Sequence, residues 1–550
     1  MKIYHFSFYI LLLVSGFLTS SIFAQWTADS ATNVKVCQAI NDQKYPEMVT
    51  DGAGGAIIVW QDVRDGSTKI YAQRLDSSGI PKWTSNGVVI STAADSRIPN
   101  LTSDGAGGAI ITWFDLRNGW PKGCVAVQRV NANGDTLWKA NGISLTDSAS
   151  SWAYPEITGY GSAGAIVTWI GKNGEVYTQK IDTSGAIQWT PGGVLLDLNG
   201  SIPQITPDNS GGAFVTWHSY NAEYTNTDIF AQHVSSDGVV TGLSTGDSIC
   251  CVTGYQQNPQ LAPDGSGGAI ISWIDRRSES ENYPYAQRVG IGGEIMWANN
   301  GLQIATTNAT YRIPIVSDGT GGAIFTWLGY SPADVFVQRI NGNGTTQWAS
   351  DVRLTESTSP TIPGIISDGA TGAFIIWENP GEGKIKLQHV TLDGTLSFGP
   401  GGKTVSTGKN MSGYFTVATD GLGRAIAAWE DTPLYTTDIY ADRVVVPGFT
   451  TEVSEYGQSG TAPREFTLNQ NFPNPFNPTT KITFTLAENG HVSLKVFDVL
   501  GREVATLVNG VEEAGYKSVN FDANRLSSGI YFYRLQVNTY VETRKLLLLR

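Results

Sequence analysis

The hydrophobic positions of this chain form a short apolar run that returns at a nearly fixed interval and always ends in tryptophan. The run reads GAIIVW at Trp60, and seven related runs end at Trp113, Trp169, Trp217, Trp273, Trp327, Trp377 and Trp429. Neighbouring tryptophans lie 48 to 56 residues apart. Because the run is apolar without alternation, it predicts a strand covered on both faces, with its tryptophan in the core. A repeat of this length is typical of propellers and arrays.

Each repeat contains three further strand signals around the apolar run. A short segment opened by proline precedes it, as in PEMVTD, and an alternating stretch such as IYAQRLD follows it. A glycine turn then leads to a second tryptophan and another apolar stretch, as in SSGIPKWTSNGVVIS. Four short strands separated by Gly, Asn and Asp turns are the size of one propeller blade.

The two ends of the repeat region complement each other. The eighth unit stops at Val446 without a fourth strand, while the segment QWTADSATNVKVCQA, starting at Gln25, is similar to QWASDVRLTEST near Trp348. A strand supplied from the N-terminus would tie the first blade to the last and remove the exposed edges. The sequence therefore predicts an all-β fold in which residues 25–446 form an eight-bladed β-propeller of four-stranded blades, closed by an N-terminal strand.

The first 24 residues have the pattern of a secretory signal peptide. Lys2 is followed by a long apolar core and a small residue, Ala24, so the mature chain is expected to begin at Gln25. No later stretch is long and apolar enough to predict a transmembrane helix.

The net charge of −13 argues against nucleic acid or an anionic membrane as partner. The four cysteines are expected to be unpaired, and the alternative is a strained disulfide between the adjacent Cys250 and Cys251.

A different domain follows the repeats. Residues 447–464 are rich in Thr, Ser, Glu and Gly and predict a linker, and residues 465–550 hold about six alternating strands, enough for a small β-sandwich. Three segments stand in order within it: NFPNPFNPTTKI, VFDVLGREVATL and SSGIYFYRLQV. Together with a basic, apolar ending, they resemble the type A C-terminal sorting domain of type IX secretion cargo.

The resemblance implies a route of export rather than an activity. It implies passage to the periplasm, recognition by the type IX secretion machinery at the outer membrane, and release or attachment at the cell surface. The residues that carry the motif are Asn474, Pro475, Asn477, Pro478, Asp498, Gly501, Gly529 and Tyr531. Asp498 and Gly501 are expected at a hairpin turn, and the Asn and Pro residues form a stiff entry to the first strand.

Candidate ligand-binding residues come from the loops that vary among units. The loops that join strands two to three and four to one share one face of a propeller, and in this chain only those loops vary in length and chemistry. An acid follows the strand tryptophan by two residues in four units, and an arginine follows the acid in three of them. The candidates, with one loop aromatic, are Asp62, Arg64, Asp115, Arg117, Trp120, Asp275, Arg277 and Asp431.

Two interpretations of these acids stay open. Units eight, one and two would be consecutive in the ring, so Asp431, Asp62 and Asp115 would form an acidic arc in a groove for a glycan or a peptide. Alternatively, each Asp caps its own turn and pairs with the local Arg, which is the commoner role of an acid in a turn.

The sequence contains few of the residues that catalysis requires. Of the five histidines only His218 lies in a variable loop, and it has no evident Ser or Cys partner. Zinc spacings, phosphate-binding loops and EF-hand ligands are absent from the sequence, so no cofactor or metal is expected. We therefore predict a non-enzymatic, secreted or surface-displayed binding protein with a glycan or protein ligand on the variable face. The alternatives are a carbohydrate-active hydrolase or lyase that uses Asp62, Asp115 or Asp431, and a passive coat protein.

Overall fold

The protein is described here by a computed structural model in which every regular element is a β-strand. The structure describes residues 26, 33–117, 119, 123–146, 153–160, 164–221, 225–242, 246–278, 281–355, 360–369, 372–406, 411–420, 423–432, 436–447, 466–468, 471, 476, 479–513, 515–538 and 540–548. The predicted signal peptide and linker lie outside these residues, apart from Pro447. Within the described ranges, no helix is long and apolar enough to cross a membrane.

Each sequence unit folds into one antiparallel sheet, or blade, whose strands follow chain order. The strands of the N-terminal segment and units one to four are β1 (Val34–Cys37), β2 (Gln43–Thr50), β3 (Ala56–Asp62), β4 (Lys69–Leu75), β5 (Val88–Ser91), β6 (Ser96–Ser103), β7 (Ala109–Asp115), β8 (Cys124–Val130), β9 (Ile143–Ser144), β10 (Glu156–Gly159), β11 (Gly164–Ile170), β12 (Val176–Asp182), β13 (Val194–Asp197), β14 (Gly200–Pro207), β15 (Ala213–Tyr220), β16 (Thr227–Val234), β17 (Val240–Thr241) and β18 (Asp247–Cys250). In the fourth blade β18 also pairs with β16.

The remaining four units repeat this arrangement. Their strands are β19 (Gln256–Pro263), β20 (Ala269–Asp275), β21 (Tyr283–Val289), β22 (Leu302–Gln303), β23 (Ile315–Ser317), β24 (Ala323–Leu328), β25 (Val335–Ile340), β26 (Val352–Arg353), β27 (Gly364–Ser367), β28 (Ala373–Asn379), β29 (Lys384–Val390), β30 (Lys403–Thr404), β31 (Met411–Thr419), β32 (Arg424–Asp431) and β33 (Asp438–Val445). The described part of the repeat region thus holds eight sheets, one for each sequence unit.

The blades form a closed ring. The first strand of each blade contacts the first strand of the next, from β2 around to β31, and β31 contacts β2 again. The cores lie between adjacent blades: Ile57 and Val59 of the first blade pack with Ile111 and Trp113 of the second. All eight tryptophans that end the second strands are fully buried, as predicted. The all-β propeller fold predicted from the repeat is confirmed.

The N-terminal strand completes the last blade. β1 pairs antiparallel with β33, and Val34 lies opposite Ala441 while Lys35 lies opposite Tyr440. Val34, Val36 and Cys37 are buried at the seam between the first and last blades. The prediction that the ring is closed by an N-terminal strand is confirmed.

A tryptophan at the start of the fourth strand fastens each of several blades to the next. The Trp83 indole Nε1 donates to the Ala132 carbonyl at 3.0 Å, and a Cβ added at Gly134 would lie 2.9 Å from the Trp83 ring. The same contact recurs at Trp138, Trp189, Trp297 and Trp348. Trp26 occupies this place at the ring closure, where a Cβ added at Gly79 would lie 2.7 Å from its indole. Only glycine leaves room for the ring at these turns.

The C-terminal domain is a β-sandwich. Its strands are β34 (Thr467–Leu468), β35 (Thr479–Leu486), β36 (Gly490–Asp498), β37 (Glu503–Glu512), β38 (Gly515–Asp522), β39 (Gly529–Val537) and β40 (Tyr540–Leu548). One sheet has the order β34-β35-β38 and the other β37-β36-β39-β40, and they share a core that includes Leu494 and Tyr533.

Four of the predicted sorting-motif residues fall within this domain's described part. Asp498 and Gly501 lie in the hairpin turn between β36 and β37, where the Asp498 carboxylate accepts bonds from two backbone N–H groups and Gly501 has a φ of 78°. Gly529 begins β39, and the hydroxyl of Tyr531 donates to the Ser527 carbonyl at 2.8 Å. Asn474, Pro475, Asn477 and Pro478 lie outside the described residues.

Candidate functional site

The acids predicted for ligand binding lie buried at the ends of the second strands. The Asp62 carboxylate accepts a bond from the Trp60 indole Nε1 at 2.8 Å and from the Arg64 backbone N–H at 2.9 Å. The Arg64 guanidinium binds both carboxylate oxygens, at 2.8 and 2.5 Å. Every oxygen of this carboxylate therefore has a partner from its own turn.

The same arrangement recurs in two other blades. Asp115 is held by Trp113 and Arg117, and Asp275 is held by Trp273 and Arg277. All three carboxylates are buried, so the geometry supports the turn-stabilising interpretation left open by the sequence. Asp431 is also buried, and Trp120 lies outside the described residues. Ligand contact by these side chains stays a prediction.

His218 also lies below the surface rather than in an open loop. It is buried in β15, and burial lowers the pKa of its imidazole to about 4. The ring is therefore neutral at physiological pH.

A different set of polar side chains surrounds the propeller axis. In five first strands the residue four positions before the turn aspartate is Glu47, Asn100, Gln204, Gln260 or Thr416, and Glu156 holds the same place before Tyr160 in the third blade. Side chains from neighbouring blades hydrogen-bond here: Asn100 Nδ2 donates to Glu156 at 2.8 Å, and Gln204 Nε2 donates to the same carboxylate at 3.3 Å. The Thr416 hydroxyl of the eighth blade donates to Glu47 at 3.4 Å. These contacts place the two glutamates in the central channel.

Both axial glutamates have strongly perturbed acidity. Burial raises the pKa of Glu47 to about 7, with a further increase from the charge of Glu156. Burial likewise raises the pKa of Glu156 to about 7. Glu47 is nevertheless exposed to solvent and Glu156 half-buried, which is the combination expected in a channel that water enters and protein surrounds. Arg312 lies near enough to lower both pKa values in part.

Four tyrosines surround the entrance to this channel on the variable-loop face. Tyr45 and Tyr154 each precede an axial glutamate by two residues, and Tyr414 occupies the matching place in the eighth blade. Tyr45 and Tyr414 meet edge to face with ring centroids 4.5 Å apart. Burial raises the pKa of Tyr154, and Tyr311 and Tyr414 raise it further. Because blades three, six and eight are not neighbours, these three tyrosines approach one another only over the axis.

We call this region the axial mouth and define it by Tyr45, Glu47, Tyr154, Glu156, Tyr311, Arg312 and Tyr414. Its four tyrosines are 37 to 50% exposed, an unusual amount for large aromatic side chains that lie close together. The region combines exposed aromatic rings with ionisable groups, which are the kinds of side chain common in ligand sites.

The first strands have strained backbone at the level of the axial mouth. Tyr45, Ile98, Tyr154, Ile202 and Asn258 occupy equivalent places in five blades, and all have positive φ, between 39° and 58°. In four of these blades the ladder register shifts at this residue, as in a β-bulge. Positive φ is especially costly for a β-branched residue such as isoleucine. The side chain of Gln61 accepts the Ile98 N–H at 2.5 Å and so helps to offset this cost.

A repeated tripeptide in the sequence marks this site. The first and third units both carry Tyr-Pro-Glu at or just before the first strand, at Tyr45 to Glu47 and at Tyr154 to Glu156. The sequence interpretation used only the proline of this signal. The acids after the tryptophans recur more often in the sequence, but they are buried at the ends of their strands.

Comparison with known proteins identifies the C-terminal domain. Residues 470–549 match the family described as "Secretion system C-terminal sorting domain". The chain is therefore type IX secretion cargo with a β-propeller ahead of its sorting domain, and it is exported to the cell surface or the medium. No curated protein matches the chain.

Solved structures similar to the chain are distant. They include the BP39L lectin from Burkholderia pseudomallei, at 9% identity and TM-score 0.45, covering 66% of this chain and 100% of the lectin. The β-propeller domain of the Trilobed protease from Pyrococcus furiosus has 10% identity and TM-score 0.36, with coverage of 64% and 94%. An α-L-arabinanase from Penicillium chrysogenum has 12% identity and TM-score 0.33, with coverage of 54% and 96%. Likenesses at these TM-scores give no information about the ligand.

Proposed function

We propose that this exported propeller is a binding protein that holds a glycan at the axial mouth. The observation that carries the proposal is the group of four partly exposed tyrosines that converge over the channel from blades one, three, six and eight. Aromatic faces are suited to the apolar face of a sugar ring, and the carboxylates and amides below them can bind hydroxyl groups. A protein that served only as a passive coat would not need exposed tyrosines on strained backbone.

Hydrolysis by the two axial glutamates is the second candidate, because both carboxyl groups have raised pKa values. A glycosidase needs one carboxyl group that stays protonated and a second that stays ionised, so the two environments must differ. Here burial raises the pKa of both Glu47 and Glu156 to about 7. The values alone do not divide the pair into an acid and a base, and no distance joins the two carboxyl groups across a cleft among the described residues, so we propose binding as the function.

Replacing Tyr154 or Tyr311 with Ala is expected to weaken glycan binding about tenfold or more. A buried aromatic contact that contributes about 1.4 kcal/mol or more corresponds to that change in Kd. The measurement is a screen of glycans and cell-wall polymers on the exported chain, followed by titration calorimetry on any ligand found.

Tyr330→Ala is the matched control, because Tyr330 is 74% exposed on the same face of the sixth blade but takes no part in the axial mouth. Binding that falls equally in Tyr330→Ala and Tyr154→Ala would contradict the proposed site. So would a glycan ligand whose affinity is unchanged in both Tyr154→Ala and Tyr311→Ala.

A further inference from the structure

The charges of the axial mouth are not balanced among the residues that the structure describes. Among the described residues, neither Glu47 nor Glu156 forms an ion pair, although both lie near Arg312. Their hydrogen-bond partners are the neutral side chains of Thr416, Asn100 and Gln204. One guanidinium that contacts neither carboxylate closely cannot neutralise two of them.

The tyrosines above these carboxylates favour the same sign of ligand charge. The face of an aromatic ring is electron-rich, and several rings around one space attract a cation, an ammonium group above all. Tyr45 meets Tyr414 edge to face, and Tyr154 lies near enough to Tyr311 and Tyr414 for both to raise its pKa, so the four rings come together at the channel entrance. The buried Glu430 side chain accepts the Tyr45 backbone N–H at 2.5 Å and so holds Tyr45 in place.

We propose that the axial mouth selects saccharides that carry a positively charged amino group, such as glucosamine units without their acetyl group. The ammonium group would lie between the tyrosine rings and the carboxylates of Glu47 and Glu156, and the sugar ring would stack on a tyrosine. This inference rests on the proposed function and names the ligand class of that same site.

Substitutions of Arg312 and of the two glutamates should change the affinity for a cation in opposite directions. It occupies the place in the sixth blade that Tyr45 occupies in the first, and its charge acts on both glutamates. A ligand ammonium group would therefore be repelled by Arg312 while it is attracted by the carboxylates. Removing Arg312 should strengthen cation binding, and removing either glutamate charge should weaken it.

The probes are two hexasaccharides of glucosamine. One is fully N-acetylated and neutral, and the other is fully N-trimethylated and carries a fixed positive charge on each unit. Titration calorimetry at pH 8 on the exported chain is expected to show tighter binding of the charged form by about tenfold or more. Glu47→Gln and Glu156→Gln should each lose most of that preference, and Arg312→Gln should increase it. The controls are Glu513→Gln and Arg525→Gln, two exposed positions in the sorting domain where no change is expected.

The pH dependence has a defined sign for the fixed-charge probe. Because the pKa of each axial glutamate is about 7, both are largely ionised at pH 8 and largely protonated at pH 5.5. Affinity should therefore fall as the pH falls, by about 10- to 30-fold for each carboxylate that the ligand needs. The neutral probe should show no such fall.

The outcomes separate this inference from the proposed function. If both probes bind equally and Tyr154→Ala weakens both, the axial mouth binds glycans but does not select a positive charge, and only the inference is overturned. If neither probe nor any other glycan binds, both proposals fail. If Arg312→Gln and Glu47→Gln change the affinity in the same direction, a general loss of structure explains the effect and the inference is also overturned.

Discussion

Deleting residues 25–37 is expected to open the ring and leave a protein that associates through its exposed edge. Without β1, the outer edge of β33 has no partner, and an unpaired strand edge is a template for pairing with another chain. The deletion also removes three buried side chains, Val34, Val36 and Cys37, together with Trp26. We expect a large drop in the thermal midpoint and the appearance of dimers or larger species.

Single substitutions can separate the contribution of the tryptophan from that of the strand. Trp26→Ala removes a buried indole that packs on Gly79 and should lower the free energy of unfolding by about 3 kcal/mol. Lys35→Ala is the matched control, since Lys35 lies on the exposed side of the same strand. The measurements are urea unfolding and size-exclusion chromatography. A deletion variant that stays monomeric with an unchanged midpoint would show that β1 does not close the ring.

This closure illustrates what the sequence could predict. The segment at Gln25 is similar to the fourth strand near Trp348, and the eighth unit lacks that strand, so the pairing follows from counting strands. The buried tryptophans follow from the same kind of evidence, because an apolar run without alternation requires cover on both faces. Both inferences depend on contacts within one blade or between neighbours, and a repeat specifies these.

The axial mouth depends on relations that a repeat does not specify. Tyr154 and Tyr414 belong to blades that are not neighbours, and they approach only because the ring has a certain radius and its first strands bulge. The bulges run against local preference, since nothing in the residue type of Ile98 or Ile202 favours positive φ. A pattern of residues along the chain therefore identifies the face that carries the site but not the side chains that meet there.

The role of the acids after the strand tryptophans could not be decided from the sequence for a related reason, and ligand contact by them stays a prediction. The spacing Trp-x-Asp-x-Arg is compatible with an open acidic groove and with a closed turn, and only burial distinguishes the two. In the structure the side chain of Asp62 is fully buried and that of Arg64 is 17% exposed. The same pattern at Asp115 and Asp275 therefore marks a repeated structural device.

Asp62→Ala is expected to destabilise the protein strongly while leaving ligand recognition at the axial mouth intact in the folded fraction. The substitution removes the acceptor for the Trp60 indole N–H and leaves the Arg64 guanidinium without its carboxylate partner. Removing one member of a buried ion pair costs about 3 to 5 kcal/mol.

Asp65→Ala is the matched control, because Asp65 is an exposed acid in the same turn whose partner Lys69 can be solvated. Urea unfolding measures stability and calorimetry measures binding. If Asp62→Ala were as stable as Asp65→Ala but lost its ligand, Asp62 would be a binding residue and the turn interpretation would fall.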